Sequence, residues 1–463
     1  MLKPTDCIDA DYKAQWYKKW AKIMGFYAGH HAKYWETAAL AQAIEDRGLL
    51  KPGKHGLGMG VGKEELVSLF AKYGVNVTAT DQDPNTKQAK QWDNGQLTNN
   101  KNELFYSKIV DKKSFNELVD YQPYDMLKTN KKFINKYDFI WHNCVIGHLG
   151  SMKASVDHLI RSGSYLKEKG WLIFTTELNI SSFEKTVDKD SDTIVWRLKD
   201  LDKLFDEMSK NGLVANRFQL RLYSNEIDTK INYSPLNSAF TNKTTMSKIL
   251  NDKNFVEAKI PFSNYAITQI LLCFQKKSNK PRLQSRLHKI DSMRNKIAIN
   301  KFRRLSPDLN DYYQKYSEAD YSAAVITPEK KVMKITIKAG SKKEVILRYK
   351  NDSNMRLFDY GLNTPYDKTP LVLATANPTN RDSSFKDKSW FSGNRPTVQF
   401  ENPSKKYDST WNSHRARPGE KLEFKFNINA GNKKGVYKED FVLVFEGKND
   451  IPKSTVEIKI NVI

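Results

Sequence analysis

The stretch that decides the fold of the first half of the chain is residues 55–83, HGLGMGVGKEELVSLFAKYGVNVTATDQD. Glycines recur at every second position from Gly56 to Gly62, directly before a helical pattern that starts near Lys63. Such glycines let the backbone approach a ligand closely, and a helix beginning behind them offers free N–H groups. The strand VNVTAT follows, with Asp81 at its carboxyl end. An acid at this distance meets ribose hydroxyls in a doubly wound sheet, so the stretch predicts a nucleoside-cofactor site. A turn that only connects strand and helix is the alternative.

The spacing of the glycines separates two kinds of cofactor. Dinucleotide sites carry GxGxxG, whereas this chain has GxGxG. That pattern resembles motif I of class I S-adenosylmethionine-dependent methyltransferases. The resemblance implies that Gly58, Gly60, Gly62 and Asp81 bind S-adenosylmethionine. The class has an acid two positions before its first motif glycine, where this chain has Gly56, so another residue must contact the methionine amino group.

Further landmarks of that class follow in order. Asp125 comes after a weak strand, where the resemblance implies an acid near the adenine amino group; a turn residue is the alternative. The run 137–144, YDFIWHNC, is predicted to be the fourth strand, and 166–179, LKEKGWLIFTTELN, the fifth. Asn143 is predicted to orient cofactor or acceptor, with a local turn-making role as the alternative.

The resemblance is closer than class level for four segments. They are residues 30–53, 56–83, 143–151 and 174–182, which look like a bacterial methyltransferase subgroup associated with polysaccharide biosynthesis. The resemblance covers about residues 15–275. It implies a Rossmann-like seven-stranded α/β domain and a glycan or sugar-related acceptor. The subgroup carries Glu-His after its fourth strand, whereas this chain has Gly147-His148.

His148 is the predicted general base for a hydroxyl acceptor. It follows the fourth strand at the cofactor edge of the sheet, and histidine titrates near neutral pH. A histidine that only packs beside the loop is the alternative. Glu177 and Asn179 are candidates for binding acceptor hydroxyls, with plain surface-loop residues as the alternative. Trp35 is expected to pack in the core or in a lid, with an acceptor platform as the alternative. No histidine or cysteine spacing indicates a metal site.

Composition divides the 463 residues into three parts and suggests partners. We predict a methyltransferase domain at 1–277, a basic helical linker at 278–329 and an all-β sandwich of antiparallel strands at 330–463. The net charge of +23 favours anionic partners. Residues 276–304 hold eleven Lys or Arg and one acid, which predicts either a basic amphipathic helix in peripheral contact with an anionic membrane or a plain interdomain helix.

The third part alternates apolar and polar residues with period two, typical of half-buried strands. Residues 417–447, RPGEKLEFKFNINAGNKKGVYKEDFVLVFEG, weakly resemble bacterial immunoglobulin-like modules, which implies binding of glycan or protein or a spacer role. Trp390 and Trp411 are candidate sugar-stacking platforms, with core packing as the alternative for at least one.

The predicted function is O-methylation of a sugar or glycan hydroxyl in surface polysaccharide biosynthesis. The alternatives are a nucleic-acid methyltransferase, which the charge favours but the motif after the fourth strand does not, and a non-catalytic scaffold with this fold. No signal peptide or apolar stretch of about 20 residues is present, and the three cysteines are far apart. We therefore expect a cytoplasmic protein, with the inner face of the membrane as a peripheral location.

Overall fold

A computed structural model describes residues 1–26, 30–86, 97–189, 193–229, 231, 256, 258–262, 265–277, 284–306, 317–360, 369–403 and 415–463. The described residues up to 306 form one compact unit, and those from 317 onward form a second. Trp411 lies outside the described residues.

The first unit alternates helices and strands. Its helices are α1 (Asp9–Lys13), α2 (Gln15–Met24), α3 (Ala32–Asp46), α4 (Leu66–Lys72), α5 (Lys112–Leu118), α6 (Met152–Tyr165), α7 (Leu198–Lys210) and α8 (Gln284–Leu305). Its strands are β1 (Thr5–Asp6), β2 (His55–Met59), β3 (Asn76–Asp81), β4 (Val119–Pro123), β5 (Tyr137–Asn143), β6 (Leu166–Asn179), β7 (Leu213–Ala215), β8 (Ile260–Phe262) and β9 (Tyr265–Lys276). Short 3-10 turns occur at Lys101–Leu104, Lys131–Phe133, Ile146–His148 and Glu226–Thr229.

These strands form one mostly parallel sheet in the order β1-β9-β6-β5-β2-β3-β4, with β7 and β8 also paired to β9. Strands β4, β3, β2, β5 and β6 run parallel, and β9 runs antiparallel to β6. The predicted Rossmann-like α/β fold is confirmed. The described residues form nine strands where the resemblance implied seven, and three of the nine, β1, β7 and β8, have only two or three residues.

Burial explains why these segments fold as they do. The middle of β9 is apolar and buried on both faces, as expected for a strand covered by helices on both sides of a sheet. Helix α3 is rich in alanine, a strong helix former, and packs against β5, β6 and β9. Ser151 begins α6 by accepting a hydrogen bond of 3.2 Å from the Ala154 N–H. The carboxyl ends of the parallel strands therefore meet at one edge, beneath α3.

The basic segment that was predicted to be a linker contains α8, which packs on the first unit. Arg217 holds Asp291 of α8 with two hydrogen bonds of 2.5 and 3.0 Å, and Asn295 accepts from the Leu220 N–H at 2.9 Å. Ile299 and Phe302 are buried. Residues 288–305 are therefore part of the first unit's structure. Among the residues that the structure describes, none of the helices has the length and apolar character needed to cross a bilayer.

The second unit is rich in β-structure. It contains α9 (Glu318–Ser322), β10 (Ile326–Pro328), β11 (Val332–Ile337), β12 (Lys342–Asn351), β13 (Leu357–Phe358), β14 (Leu371–Thr375), β15 (Arg415–Ala416), β16 (Lys421–Asn429), β17 (Gly435–Phe445) and β18 (Asp450–Val462). Its sheets are β10-β12-β16, β11-β18-β17-β14 and β13-β15. Tyr349, Phe424 and Leu443, from the two larger sheets, belong to one apolar cluster. The expectation of purely antiparallel strands was wrong, because β11 and β18 pair in parallel.

Candidate active site

The glycine turn after β2 adopts backbone conformations that suit glycine. Gly60 and Gly62 have φ of +64° and +54°, in the left-handed region. A Cβ at Gly60 would lie 2.5 Å from Cγ2 of Val145, so the turn also passes tightly against the loop after β5. The Gly62 N–H donates a 3.1 Å hydrogen bond to Oδ2 of Asp81. The turn and the acid predicted to work together are therefore in direct contact.

Gly56 and Gly58 lie on β2 and make room for aromatic rings. A Cβ at Gly56 would lie 2.5 Å from Cζ of Phe139, and one at Gly58 would lie 2.3 Å from Cζ2 of Trp141. An acid cannot occupy position 56 while Phe139 fills that space. The packing of β5 thus accounts for the departure from the motif at Gly56.

Asp81 ends β3 and is almost fully buried. Besides the Gly62 bond, its carboxylate accepts hydrogen bonds from the N–H groups of Thr98 (3.1 Å) and Gln82 (2.8 Å). Burial raises the pKa of Asp81, while these three donors act to lower it. A carboxylate has about four acceptor positions, so capacity remains for a ligand hydroxyl.

Glu64, which the motif analysis missed, is a buried carboxyl at the end of the glycine turn. Its Oε1 accepts a 2.6 Å hydrogen bond from Nε1 of Trp141, and its Oε2 accepts one of 2.9 Å from Nδ2 of Asn143. Burial raises the pKa of Glu64 to about 8, although both hydrogen bonds act to lower it. The only sequence signal was an acid just after a glycine motif, where two glutamates stand together.

Asn143 ends β5 and joins this group to helix α3. Its Nδ2 donates to Oγ1 of Thr37 at 3.1 Å as well as to Glu64. Its Oδ1 is buried and has no hydrogen-bond partner among the described residues. A buried acceptor without a partner costs free energy, so a donor supplied by a ligand would stabilise this position. The structure thus links Asn143 with Glu64 and Thr37 at the carboxyl edge of the sheet.

A second buried polar group lies at the ends of β5 and β6. Glu36, Cys144 and Glu177 bring their carboxylate oxygens and thiol within 4.8 Å of one another. Cys144 Sγ lies 2.8 Å from Glu177 Oε1, and Lys33 Nζ lies 3.0 Å from Glu36 Oε2. Oε1 of Glu36 and Oε2 of Glu177 are buried and have no hydrogen-bond partner within the described part of the chain. We call Lys33, Glu36, Cys144 and Glu177 the edge cluster.

The ionisation of the edge cluster is shifted by its burial. Burial raises the pKa of Glu177; the Lys33 ammonium acts to lower it and Glu36 to raise it further. Burial also raises the pKa of the Cys144 thiol well above its usual range, so Cys144 remains a neutral S–H. The Cys144 thiol therefore acts as a hydrogen-bond donor to Glu177.

The Gly147-His148 pair lies on the 3-10 turn beside the edge cluster. A Cβ at Gly147 would lie 3.6 Å from Oε2 of Glu177. The carboxylate absent at position 147 is thus supplied nearby by β6. Thr193 Oγ1 lies 3.5 Å from Nδ1 of His148, and the Ile194 N–H donates to the Gly147 carbonyl at 2.8 Å. The role of His148 as the general base stays a prediction.

Two candidates have local structural roles in the structure. Asp125 Oδ1 accepts from the Leu127 N–H at 2.9 Å, and its other oxygen is 3.3 Å from Lys128 Nζ, so it stabilises a surface turn. Its adenine contact stays a prediction. Asn179 is buried, and its Oδ1 accepts from the Ser181 N–H at 2.9 Å, which orders the turn after β6.

The first turns of helix α3 lie beside the end of β5, where Thr37 contacts Asn143. His31 Nδ1 accepts a 3.0 Å hydrogen bond from the Lys33 N–H and caps the helix. Trp35 is fully buried in the main core, and its Nε1 donates to Asp11 at 2.9 Å. This confirms the expectation that Trp35 packs in the core.

The first unit is similar to known methyltransferases. Residues 31–214 match a family model described as a methyltransferase domain. No curated protein matches the chain. Similar solved structures include a putative sarcosine dimethylglycine methyltransferase from Galdieria sulphuraria, at 15% identity and a TM-score of 0.33, covering 58% of this chain and 99% of that one. Another is a 1,6-didemethyltoxoflavin-N1-methyltransferase from Burkholderia thailandensis, at 11% identity and a TM-score of 0.30, covering 59% and 92%. Scores this low carry no information on substrate.

The glycine turn and its acid both lie within residues 31–214, the part of the chain that matches a methyltransferase domain. The chain therefore carries a methyltransferase domain, for which the glycine motif predicts S-adenosylmethionine as the cofactor.

The residues present fit that cofactor. Asp81 is placed for ribose hydroxyls, and the unpartnered Oδ1 of Asn143 beside the Glu64 carboxyl suits an ammonium donor. Both groups lie at the carboxyl edge of the sheet, where nucleotide cofactors bind in open α/β folds.

Proposed function

We propose that this enzyme transfers the methyl group of S-adenosylmethionine to a hydroxyl of a sugar or glycan acceptor. The observation that carries the proposal is the buried, unpartnered Oε2 of Glu177 at the end of β6. The sugar class rests on the resemblance of residues 15–275 to the polysaccharide-associated subgroup. The place in surface polysaccharide biosynthesis rests on the same resemblance.

A hydroxyl acceptor needs a base because it loses its proton when the new C–O bond forms. The cofactor supplies an electrophilic methyl group when bound. Glu177 accepts the proton, because its raised pKa makes it a stronger base than an ordinary carboxylate. Cys144 positions the carboxylate through its thiol, which leaves Oε2 available to the acceptor.

His148 is the second candidate for the base. It lies on the turn that brings position 147 to 3.6 Å from Glu177, so both side chains belong to the same end of the site. Replacing each in turn distinguishes them. If Glu177 is the base, Glu177→Gln removes most of kcat, whereas His148→Gln changes mainly KM through acceptor contacts.

The cofactor is held by three groups in this proposal. Asp81 accepts from ribose hydroxyls. Glu64 takes the place of the acid missing at Gly56, and together with Oδ1 of Asn143 it accepts from the methionine ammonium. An ammonium beside Glu64 favours the ionised carboxylate, which burial alone disfavours.

The experiment is transfer of labelled methyl from S-adenosylmethionine to matched acceptors. We would compare nucleotide sugars and oligosaccharides, the corresponding amino sugars, and nucleic acid. Transfer to a sugar hydroxyl, reduced about 10²- to 10⁴-fold in kcat by Glu177→Gln, is expected. Cys144→Ser is the matched control and retains most activity, because a hydroxyl also donates to Glu177.

Two outcomes would overturn the proposal. The edge cluster carries two carboxylates against one ammonium, so an amine acceptor is the specific competitor, and methylation of the amino sugars at nitrogen alone would establish it. Methylation of nucleic acid only, with affinity falling steeply with salt, would establish the alternative that the +23 charge favours.

We also propose that the second unit is an immunoglobulin-like module that binds glycan or protein. Trp390 is buried and does not serve as a sugar platform. The next residue, Phe391, is 63% exposed and lies with Thr397 and Gln399 in the lining of a groove of about 380 Å³. This groove is the place to test with acceptor oligosaccharides by nuclear magnetic resonance. No shift at Phe391 and its neighbours would remove the glycan part of this proposal.

A further inference from the structure

Helix α8 has two apolar faces, and only one of them packs on the first unit. The buried face carries Asp291, Asn295, Ile299 and Phe302. The opposite face carries a second set of apolar side chains, Ile290, Met293 and Ile297, which are 45%, 67% and 65% exposed. Residues three and four apart share one face of a helix, so these three form a continuous stripe. We call them the apolar stripe.

The apolar stripe has the character of an interaction site. Single exposed apolar residues are normal on protein surfaces, but a contiguous group with a polar rim marks an interaction site. Core packing does not explain the stripe, because the opposite face of the same helix, with Ile299 and Phe302, is the one that packs in the first unit. The stripe therefore fits contact with something outside the first unit.

The exposed charged residues of α8 itself are of one sign. Exposed basic residues on α8 are Lys289, Arg294, Lys296, Lys301 and Arg304. The helix has a single acid, Asp291, which lies on the buried face and is paired with Arg217 at 2.5 Å. The outward surface of α8 is thus apolar along its middle and positively charged along both sides.

We propose that the outward surface of α8 docks the enzyme on an anionic lipid surface. The apolar stripe enters the boundary between headgroups and acyl chains, as in interfacial amphipathic helices. The Lys and Arg side chains extend their aliphatic stems along the stripe and place their charges among the phosphates. Each basic residue near such a surface contributes about 1 kcal/mol to binding.

A lipid surface fits these observations better than a macromolecular partner. Nucleic acid would use the basic side chains but leave the Ile and Met side chains in water. A specific protein interface buries about 1,000 Å² or more in total, which three side chains of one stripe do not approach. The lipid surface uses both the apolar and the charged part of the same helix face.

The test is co-sedimentation of the full chain with vesicles. One vesicle is phosphatidylcholine alone and the other contains equal parts of phosphatidylcholine and phosphatidylglycerol. We expect binding to the anionic vesicle only, weakening as salt rises because the charges are screened. Equal binding to both vesicles, or binding to neither, would overturn the proposal.

Two variants assign the binding to α8. The double variant Met293→Glu with Ile297→Glu is expected to lower the vesicle partition coefficient at least tenfold. Leu127→Glu is the matched control, since Leu127 is 55% exposed in the same unit but lies away from α8 in sequence, on the turn after β4. Both variants should keep the melting temperature and the S-adenosylhomocysteine affinity of the wild type, because all three substituted positions are exposed. If the double variant binds vesicles as well as Leu127→Glu does, α8 is not the docking surface.

A protein or nucleic-acid partner would give different results. Concentration-dependent self-association that the double variant abolishes, without any binding to vesicles, would mean that the stripe is a protein interface. Binding to RNA that the double variant leaves unchanged, again without vesicle binding, would mean that the basic residues alone act. These outcomes concern α8 and leave the proposed acceptor chemistry untouched.

Discussion

The side-chain amide of Asn143 donates a hydrogen bond of 2.9 Å to the buried carboxyl of Glu64. This contact joins the end of β5 to the end of the glycine turn. It also leaves Asn143 Oδ1 buried without a partner among the described residues. The pair forms a polar site near Gly56, which stands where the motif usually has an acid. We therefore expect Glu64 to take part in cofactor binding.

Glu64→Gln should weaken binding of the methionine part of the cofactor and spare the nucleoside part. A hydrogen bond between charged groups contributes about 1.5–3 kcal/mol, so S-adenosylhomocysteine should bind about 10- to 100-fold more weakly. The affinity for 5′-methylthioadenosine, which has no amino-acid part, should not change. Calorimetric titration measures both. Glu65→Gln is the matched control, and equal losses for the two ligands would show that Glu64 only supports the fold.

The pH dependence of cofactor binding should report the same carboxyl. Because the pKa of Glu64 in the free protein is about 8, its carboxyl is protonated at neutral pH and must lose that proton to pair with an ammonium. Binding should therefore release a proton below about pH 8 and strengthen as pH rises toward that value. Titration in two buffers of different ionisation enthalpy detects the released proton. Proton release that persists in Glu64→Gln would assign it to another group.

Asp81→Asn should weaken both ligands, in contrast to Glu64→Gln. The ribose is common to S-adenosylhomocysteine and 5′-methylthioadenosine. The oxygen of an amide can still accept from Gly62 and Thr98, which share Oδ2, but its NH2 group cannot accept from the Gln82 N–H. We expect about a 10- to 100-fold loss for each ligand and a decrease of about 1–3 kcal/mol in the free energy of unfolding. Asp83→Asn, in an exposed turn two residues later, is the control. Unchanged affinity for 5′-methylthioadenosine would remove Asp81 from the site.

Gly60→Ala should destabilise the enzyme more than Gly53→Ala. Both glycines have positive φ, at +64° and +79°, so both substitutions carry a backbone cost of about 1 kcal/mol. Only Gly60 also faces a side chain, since its Cβ would lie 2.5 Å from Val145, whereas nothing lies within 4 Å at Gly53. Chemical denaturation measures the difference. Adding Val145→Ala to Gly60→Ala should recover part of the lost free energy of unfolding. No recovery would mean that backbone strain alone causes the loss.

Trp390→Ala should destabilise the second unit much more than Phe391→Ala. Trp390 is buried, and its Nε1 donates to the Asn427 carbonyl at 2.6 Å, so its loss should lower the free energy of unfolding by about 3–5 kcal/mol. Phe391 is exposed, and its loss should change stability by no more than about 0.5 kcal/mol. Thermal unfolding of the full chain measures both. A large effect of Phe391→Ala would contradict the assigned burial.

Local patterns were enough to predict the α/β architecture and the cofactor turn. Glycines before a helix and an acid after the next strand, as at Gly62 and Asp81, depend on backbone geometry within about thirty residues, and such geometry leaves a sequence signature. The alternating strands of the second unit were visible for the same reason. The parallel pairing of β11 with β18 could not be predicted from the sequence, because the two strands are more than a hundred residues apart.

The sequence by itself determined the class of fold, the cofactor motif and the basic character of the helix after β9. Tertiary structure alone decided that Phe139 excludes an acid at Gly56 and that Glu64 meets Asn143. It also decided that Glu177 reaches the space beside Gly147 and that α8 keeps an apolar stripe outward. These relationships join residues far apart in the chain, and their chemistry comes from burial and proximity, which no local pattern of residues encodes.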